Sequence, residues 1–154
     1  MRSSESASVP PFPPALRIIV RGAAIAFVVF FLAVIVIADR GDGDRWWAFL
    51  LRIPGGDKLG HVGLVGVLCL LCNLAIPWRQ HVRLPAAMTW TTAVLLTLLT
   101  LEEIAQAFLP HRTCDFGDWL ADLIGLALGQ WLALTARRWF ASRPAEDSIP
   151  HSRG

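Results

Sequence analysis

Residues 102–122, EEIAQAFLPHRTCDFGDWLAD, gather two glutamates, three aspartates, a histidine and an arginine into one short connection. Before it runs AVLLTLLTL, residues 93–101, and after it WLADLIGLALGQWLALTA, residues 119–136. A polar turn between two long apolar runs is the pattern of a membrane hairpin. Its charges belong at a helix end, where water or headgroups can reach them.

The rest of the 154-residue chain agrees. It is 55% hydrophobic and 17% charged, with a mean hydropathy of +0.52, whereas soluble domains carry about 25% charge. A spanning helix needs about 20 apolar residues. Four runs qualify: 22–38, 59–76, a third from near Pro85 to about Phe108, and 119–136. The expected fold is therefore all-α, a polytopic membrane protein with four transmembrane helices. Seven tryptophans and no tyrosine fall mostly near the ends of these runs, where amphipathic rings settle at a membrane interface. The first run exceeds the roughly 7–15 apolar residues of a secretory signal, so a retained anchor is expected.

The connection 39–58, DRGDGDRWWAFLLRIPGGDK, has an amphipathic centre. It predicts one short interfacial helix between the first and second spans, ended by Pro54-Gly55-Gly56. Residues 1–16 and 141–154 are rich in Ser, Pro and charge and read as disordered tails. They leave a membrane domain over 17–140. With four crossings, both tails and the 77–84 loop share one side. That side holds nine of the fourteen basic residues and three of the twelve acids. Positive flanks stay inside, which predicts cytoplasmic termini, an inner (plasma) membrane location and outward-facing connections at 39–58 and 109–118. A net charge of +2 without a basic stripe offers nothing to nucleic acid. Cys69 and Cys72 lie inside an apolar run and read as small apolar residues, and Cys114 receives no role. No cofactor motif is legible, and nothing in the sequence specifies an oligomer.

The chemistry gathers at the outward helix ends. Asp57 and His61 are four apart, Glu103 and Gln106 three apart, and Asp118 and Asp122 four apart, so each pair shares a helix face. Gly125 and Gly129 continue the last stripe and admit a close helix neighbour. Lys58 and Arg112 are the cations near enough to offset the acids. Arg112, able to bind carboxylates bidentately, is expected to bridge Glu103 and Asp118. Glu102 lies about 100° round its helix from Glu103 and reads as interface-facing. Gln130 is expected to bond a neighbouring helix.

DKLGH at 57–61, EIAQAFLPHR at 103–112, then Asp118 with Gly125 and Gly129, resembles the VanZ-like membrane protein family. The family pattern is D-K-x-x-H, E-x-x-Q-x-F-x-P-x-R, then D before a small-residue helix, and the match covers about 57–129. Asp122 stands where many members carry Asn, and Val65 where an aromatic is common. The resemblance implies a small polytopic bacterial envelope protein and a link to resistance to the glycopeptide teicoplanin. Three readings of the cluster stay open. It is a buried network locking the bundle, or a site for a lipid headgroup or cell-wall precursor with Lys58 and Arg112 holding phosphate. As an enzyme, it uses His61 as a base, or Asp57, His61 and Glu103 around a divalent metal.

Overall fold

A computed structural model of the chain describes residues 12–76, 88–110, 112 and 114–142. Among these the protein is all-helical, without strands: α1 Pro14–Asp39, α2 Gly43–Trp46, α3 Ala48–Leu51, α4 Gly56–Ala75, α5 Trp90–Gln106 and α6 Phe116–Ala141. Helices α1, α4 and α6 are long and apolar enough to cross a membrane. The third apolar run is shorter as a helix than its sequence limits suggested. It has 17 helical residues, about 25 Å at 1.5 Å per residue, and Pro85 lies outside the described residues.

Local chemistry sets the ends. Pro14 stands in the first turn of α1, where its missing N–H costs nothing. Gly41 and Gly55 adopt φ of 82° and 72°, turning the chain out of α1 and into α4. The Thr89 side chain accepts the Thr92 N–H at the start of α5, and Asp115 accepts the Gly117 N–H at the start of α6. Both are N-caps that satisfy a donor the helix leaves free.

Two expectations change. The single interfacial helix is instead two one-turn helices, α2 and α3, separated at Trp47, whose φ of −125° and ψ of 30° leave the helical region. The N-terminal tail ends earlier than residue 16: Phe12 is buried and packs edge-on against Phe140, with centroids 4.8 Å apart. The remaining tail residues 1–11 and 143–154, and the 77–84 loop, lie outside the described residues.

Contacts along their length show how the helices run. Lys58 meets Asp118, Cys69 donates to the Leu126 carbonyl, and Arg137 donates to the Asn73 carbonyl. Helices α4 and α6 therefore lie side by side in the same direction. Helix α5 runs the other way. Its Thr89 N–H donates to Gln130 Oε1 at one end, and its Thr100 hydroxyl accepts from Trp119 near the other. Helix α1 also opposes α4, since Arg21 reaches the Ala75 carbonyl at α4's C-terminus.

Glycine decides the α4–α6 spacing. A methyl group on Gly125 would lie 2.8 Å from the Val62 carbonyl oxygen, and one on Gly129 would collide with that of Gly66. The expected close approach on this stripe is present, with α4 as the partner. Around it pack Val65, Cys69, Leu99 and Leu126, joined by Phe31, Leu95 and Leu96. Ile25, Val29, Leu98, Ile104, Ile124 and Trp131 face outward, each more than half exposed, the surface a lipid-facing bundle presents.

Candidate functional site

At one end of the bundle stand the first turns of α4 and α6 and the last turn of α5. Lys58, in the first turn of α4, sends its ammonium between Asp115 and Asp118. Nζ lies 2.7 Å from Asp115 Oδ2, 2.8 Å from Asp118 Oδ1 and 3.5 Å from Asp57 Oδ2. Its three N–H donors thus face three carboxylates. Gly117 lets it arrive there, because a Cβ at that position would sit 2.8 Å from Lys58 Cε and Nζ. Asp115 is doubly engaged, accepting from Lys58 and, through Oδ1, from the Gly117 N–H. The Lys58 hydrogen bond first, and the Gly117 N–H second, hold its carboxyl below the ordinary value of 3.8.

One turn further along α4, His61 Nδ1 lies 2.9 Å from Asp122 Oδ1. An ionised carboxylate only accepts, so Nδ1 is the donor in this contact. Nε2 faces Asp118 Oδ2 across 3.9 Å, too far for a direct hydrogen bond. A buried Asp orienting an imidazole is the arrangement of a general base. Glu103, from α5, is buried and accepts the Asp115 backbone N–H through Oε1 at 2.7 Å. Its Oε2 finds no hydrogen-bond partner among the described residues.

The structure therefore unites Asp57, Lys58, His61, Glu103, Asp118 and Asp122, the residues picked out by spacing. Two others go elsewhere. Arg112 does not bridge Glu103 and Asp118. Its Nε lies 3.8 Å from Asp39 Oδ1 at the end of α1, and neither atom has a hydrogen-bond partner among the described residues. The loop carries the guanidinium away from α6, and the ammonium of Lys58 takes the place assigned to it. Gln106 is buried but donates to Glu102 Oε2 at 2.7 Å, across one turn of its own helix. Gly125 and Gly129 pack helices and touch no charged group of the cluster.

Three participants escape spacing rules. Asp115 is the centre of the cluster, and its one sequence signal is its place as a cap three residues before Asp118. Asp39 reaches Arg112 only because α1 ends beside the 107–115 connection. At the opposite end lies a buried polar network: Asn73 Nδ2 donates to the Cys69 carbonyl at 2.9 Å and to Thr92 Oγ1 at 3.1 Å. Thr89 Oγ1 donates to Asn73 Oδ1 at 2.7 Å. The expected bond from Gln130 to a neighbouring element is made to the Thr89 N–H at the start of α5. Arg137, counted in the sequence as a flanking charge, is 1% exposed and donates to the Asn73 and Ile76 carbonyls. It serves carbonyls that the end of α4 leaves open, where a cation also complements the helix dipole.

No protein-family model matches the chain, and no curated protein or solved structure matches it.

Proposed function

We propose that this chain is a four-span, VanZ-like integral membrane protein of the bacterial cell envelope. Both termini are cytoplasmic, and its outward-facing polar cluster binds the polar headgroup of a lipid or a cell-wall precursor. The fourth crossing is supported by direction. Helices α4 and α6 run the same way, so the chain between them has to return, and α5 travels from the Thr89–Gln130 contact to the Glu103–Asp115 contact. Orientation is supported by the concentration of arginines on the side of the tails.

The observation that carries the binding role is uncompensated charge at one end of the bundle. Asp57, Glu103, Asp115, Asp118 and Asp122 meet there with one lysine and one histidine. A purely architectural network gains most when each buried charge is balanced, and this one keeps an acidic excess. Lys58 and Arg112 are both engaged with carboxylates. A phosphate held by those two cations alone is therefore not the favoured contact.

A second reading has its own observation. Lys58 ties the start of α4 to the start of α6, so the cluster would simply lock the bundle. Native mass spectrometry of the gently solubilised protein, wild type beside Glu103→Ala, separates the two. The binding role predicts a lipid or cell-wall precursor retained by the wild type and lost from a folded Glu103→Ala. Identical, ligand-free spectra from two folded proteins would leave the lock. The link to teicoplanin belongs to the same proposal, and a susceptibility comparison between deleted and complemented strains checks it.

A further inference from the structure

Away from the acidic cluster, the C-terminal end of α4 and the N-terminal end of α5 leave a groove of about 370 Å³ between them, lined by Cys72, Ile76, Trp90, Thr91, Val94 and Leu95. That volume falls in the roughly 300–1,000 Å³ range of small-molecule clefts. The polar network beside it explains why the groove is apolar. Asn73, Thr89 and Thr92 bond one another next to Gln130 of α6, which leaves their sequence neighbours Cys72 and Thr91 to line the open side. From Lys58 to Cys72 is fourteen residues of one helix, about 21 Å, so this place is separate from the cluster.

In a bilayer any apolar cleft meets acyl chains, so the groove alone selects nothing. Charge at its rim does. Arg21 Nε of α1 lies 3.5 Å from the carbonyl oxygen of Ala75, the residue before Ile76. Arg17 stands one turn away on the same face of α1. Both are exposed, and neither forms an ion pair among the described residues. No aspartate or glutamate occurs in 12–30, 66–76, 88–98 or 128–142, the helix segments of this end. Trp90, half exposed on the groove wall, is of the type that settles at a membrane interface.

We infer that the groove and the two arginines form a binding site for an anionic phospholipid. One acyl chain lies between α4 and α5, and the phosphate meets Arg17 and Arg21, whose planar guanidinium groups suit phosphate oxygens. A cleft between spanning helices bordered by basic residues is how membrane bundles hold anionic headgroups. The inference does not rest on the outward cluster or on what that cluster binds.

Trp90 supplies the readout. Phosphatidylglycerol and phosphatidylcholine with brominated acyl chains, which quench indole emission on contact, are titrated separately into the full-length protein in mild detergent. The difference between wild type and Trp90→Phe gives the emission of Trp90. It should be quenched saturably, by phosphatidylglycerol at a concentration at least about fivefold lower than by phosphatidylcholine. Arg21→Gln should raise the phosphatidylglycerol requirement about fivefold and leave the phosphatidylcholine titration unchanged. Val94→Phe, which fills the groove from a half-exposed position, should weaken both lipids alike. Arg21 and Val94 are both exposed, so neither replacement unfolds the bundle. Equal saturation by the two lipids, or a phosphatidylglycerol titration indifferent to Arg21→Gln, removes headgroup recognition and overturns the site. Binding unchanged in Val94→Phe overturns the groove as its location. Trp90 emission untouched by either lipid also overturns it, and would leave the groove to the chain's own 77–87 segment.

Discussion

Lys58 and His61 show what one helical turn does to charge. Both sit on α4 and face α6, yet Lys58 meets the nearly half-exposed carboxylates of Asp57 and Asp115 near the helix start while His61 meets Asp122, whose side chain is 4% exposed. Depth along the helix therefore separates a solvent-exposed contact from a sealed one. Truncating a partner in the sealed pair leaves the other polar group buried without its bond, and Asp122→Ala should destabilise by roughly 3–5 kcal/mol if His61 is charged and less if neutral. Thermal unfolding of the detergent-solubilised protein at two pH values either side of histidine titration reads the difference. Asp115 makes the opposite case at the surface. Its carboxyl is held below 3.8 in the fold, so ionisation favours the folded state. That contribution is complete above the unfolded value and lost as pH falls through the lower, folded one. The stability gap between wild type and Asp115→Asn should be flat near neutrality and close as the pH drops below 3.8. A gap that widens on acidification would contradict the assignment.

Among elements, the α4–α6 contact dominates, and its glycines are not equivalent. A methyl group on Gly63 would meet no atom within 4 Å, whereas one on Gly129 would strike the Gly66 carbonyl and lie 2.9 Å from Cys69 Cβ. Gly129→Ala should therefore force the helices apart and cost about 1–3 kcal/mol. Gly63→Ala should stay within about 0.5 kcal/mol of wild type. Equal effects from the two would mean that close approach at Gly129 does not decide the packing, since helix propensity favours Ala at both positions. The glycine stripe was legible because small residues four apart have one obvious use in a membrane. The split of α2 from α3 was not legible, because the amphipathic pattern of 45–53 is the same whether or not the backbone breaks at Trp47. The partner of Arg112 was equally hidden. Sequence distance favoured Glu103, but the connection after α5 turns the guanidinium toward the end of α1.

For the whole molecule, the decisive test is which side each thiol faces. Cys114 is exposed beside the cluster, and Cys69 is buried between α4 and α6. An impermeant maleimide added to intact cells should label Cys114 and spare Cys69, with labelling after denaturation as the reference. Protection of Cys114 in cells, together with labelling once the membrane is opened, would invert the topology. The same bundle carries charge at one end and a sealed polar network at the other. Asn73, Thr89, Thr92 and Gln130 bond one another across α4, α5 and α6, which holds three helices together where the surrounding lipid offers no hydrophobic gain.

Hydropathy and periodicity alone determined that the chain is helical, with runs long and apolar enough to cross a membrane, and that acids gather at the helix ends beside glycines on one stripe. Those properties depend on residue type and on neighbours within about two turns, which a linear chain displays directly. The tertiary structure alone decided who pairs with whom. It put Lys58 rather than Arg112 among the aspartates, made Asp115 the hub, and buried Arg137 against the end of α4. Each of these depends on the direction and offset of helices far apart in sequence. Those are set by packing of glycines and side chains, and leave no mark in local spacing.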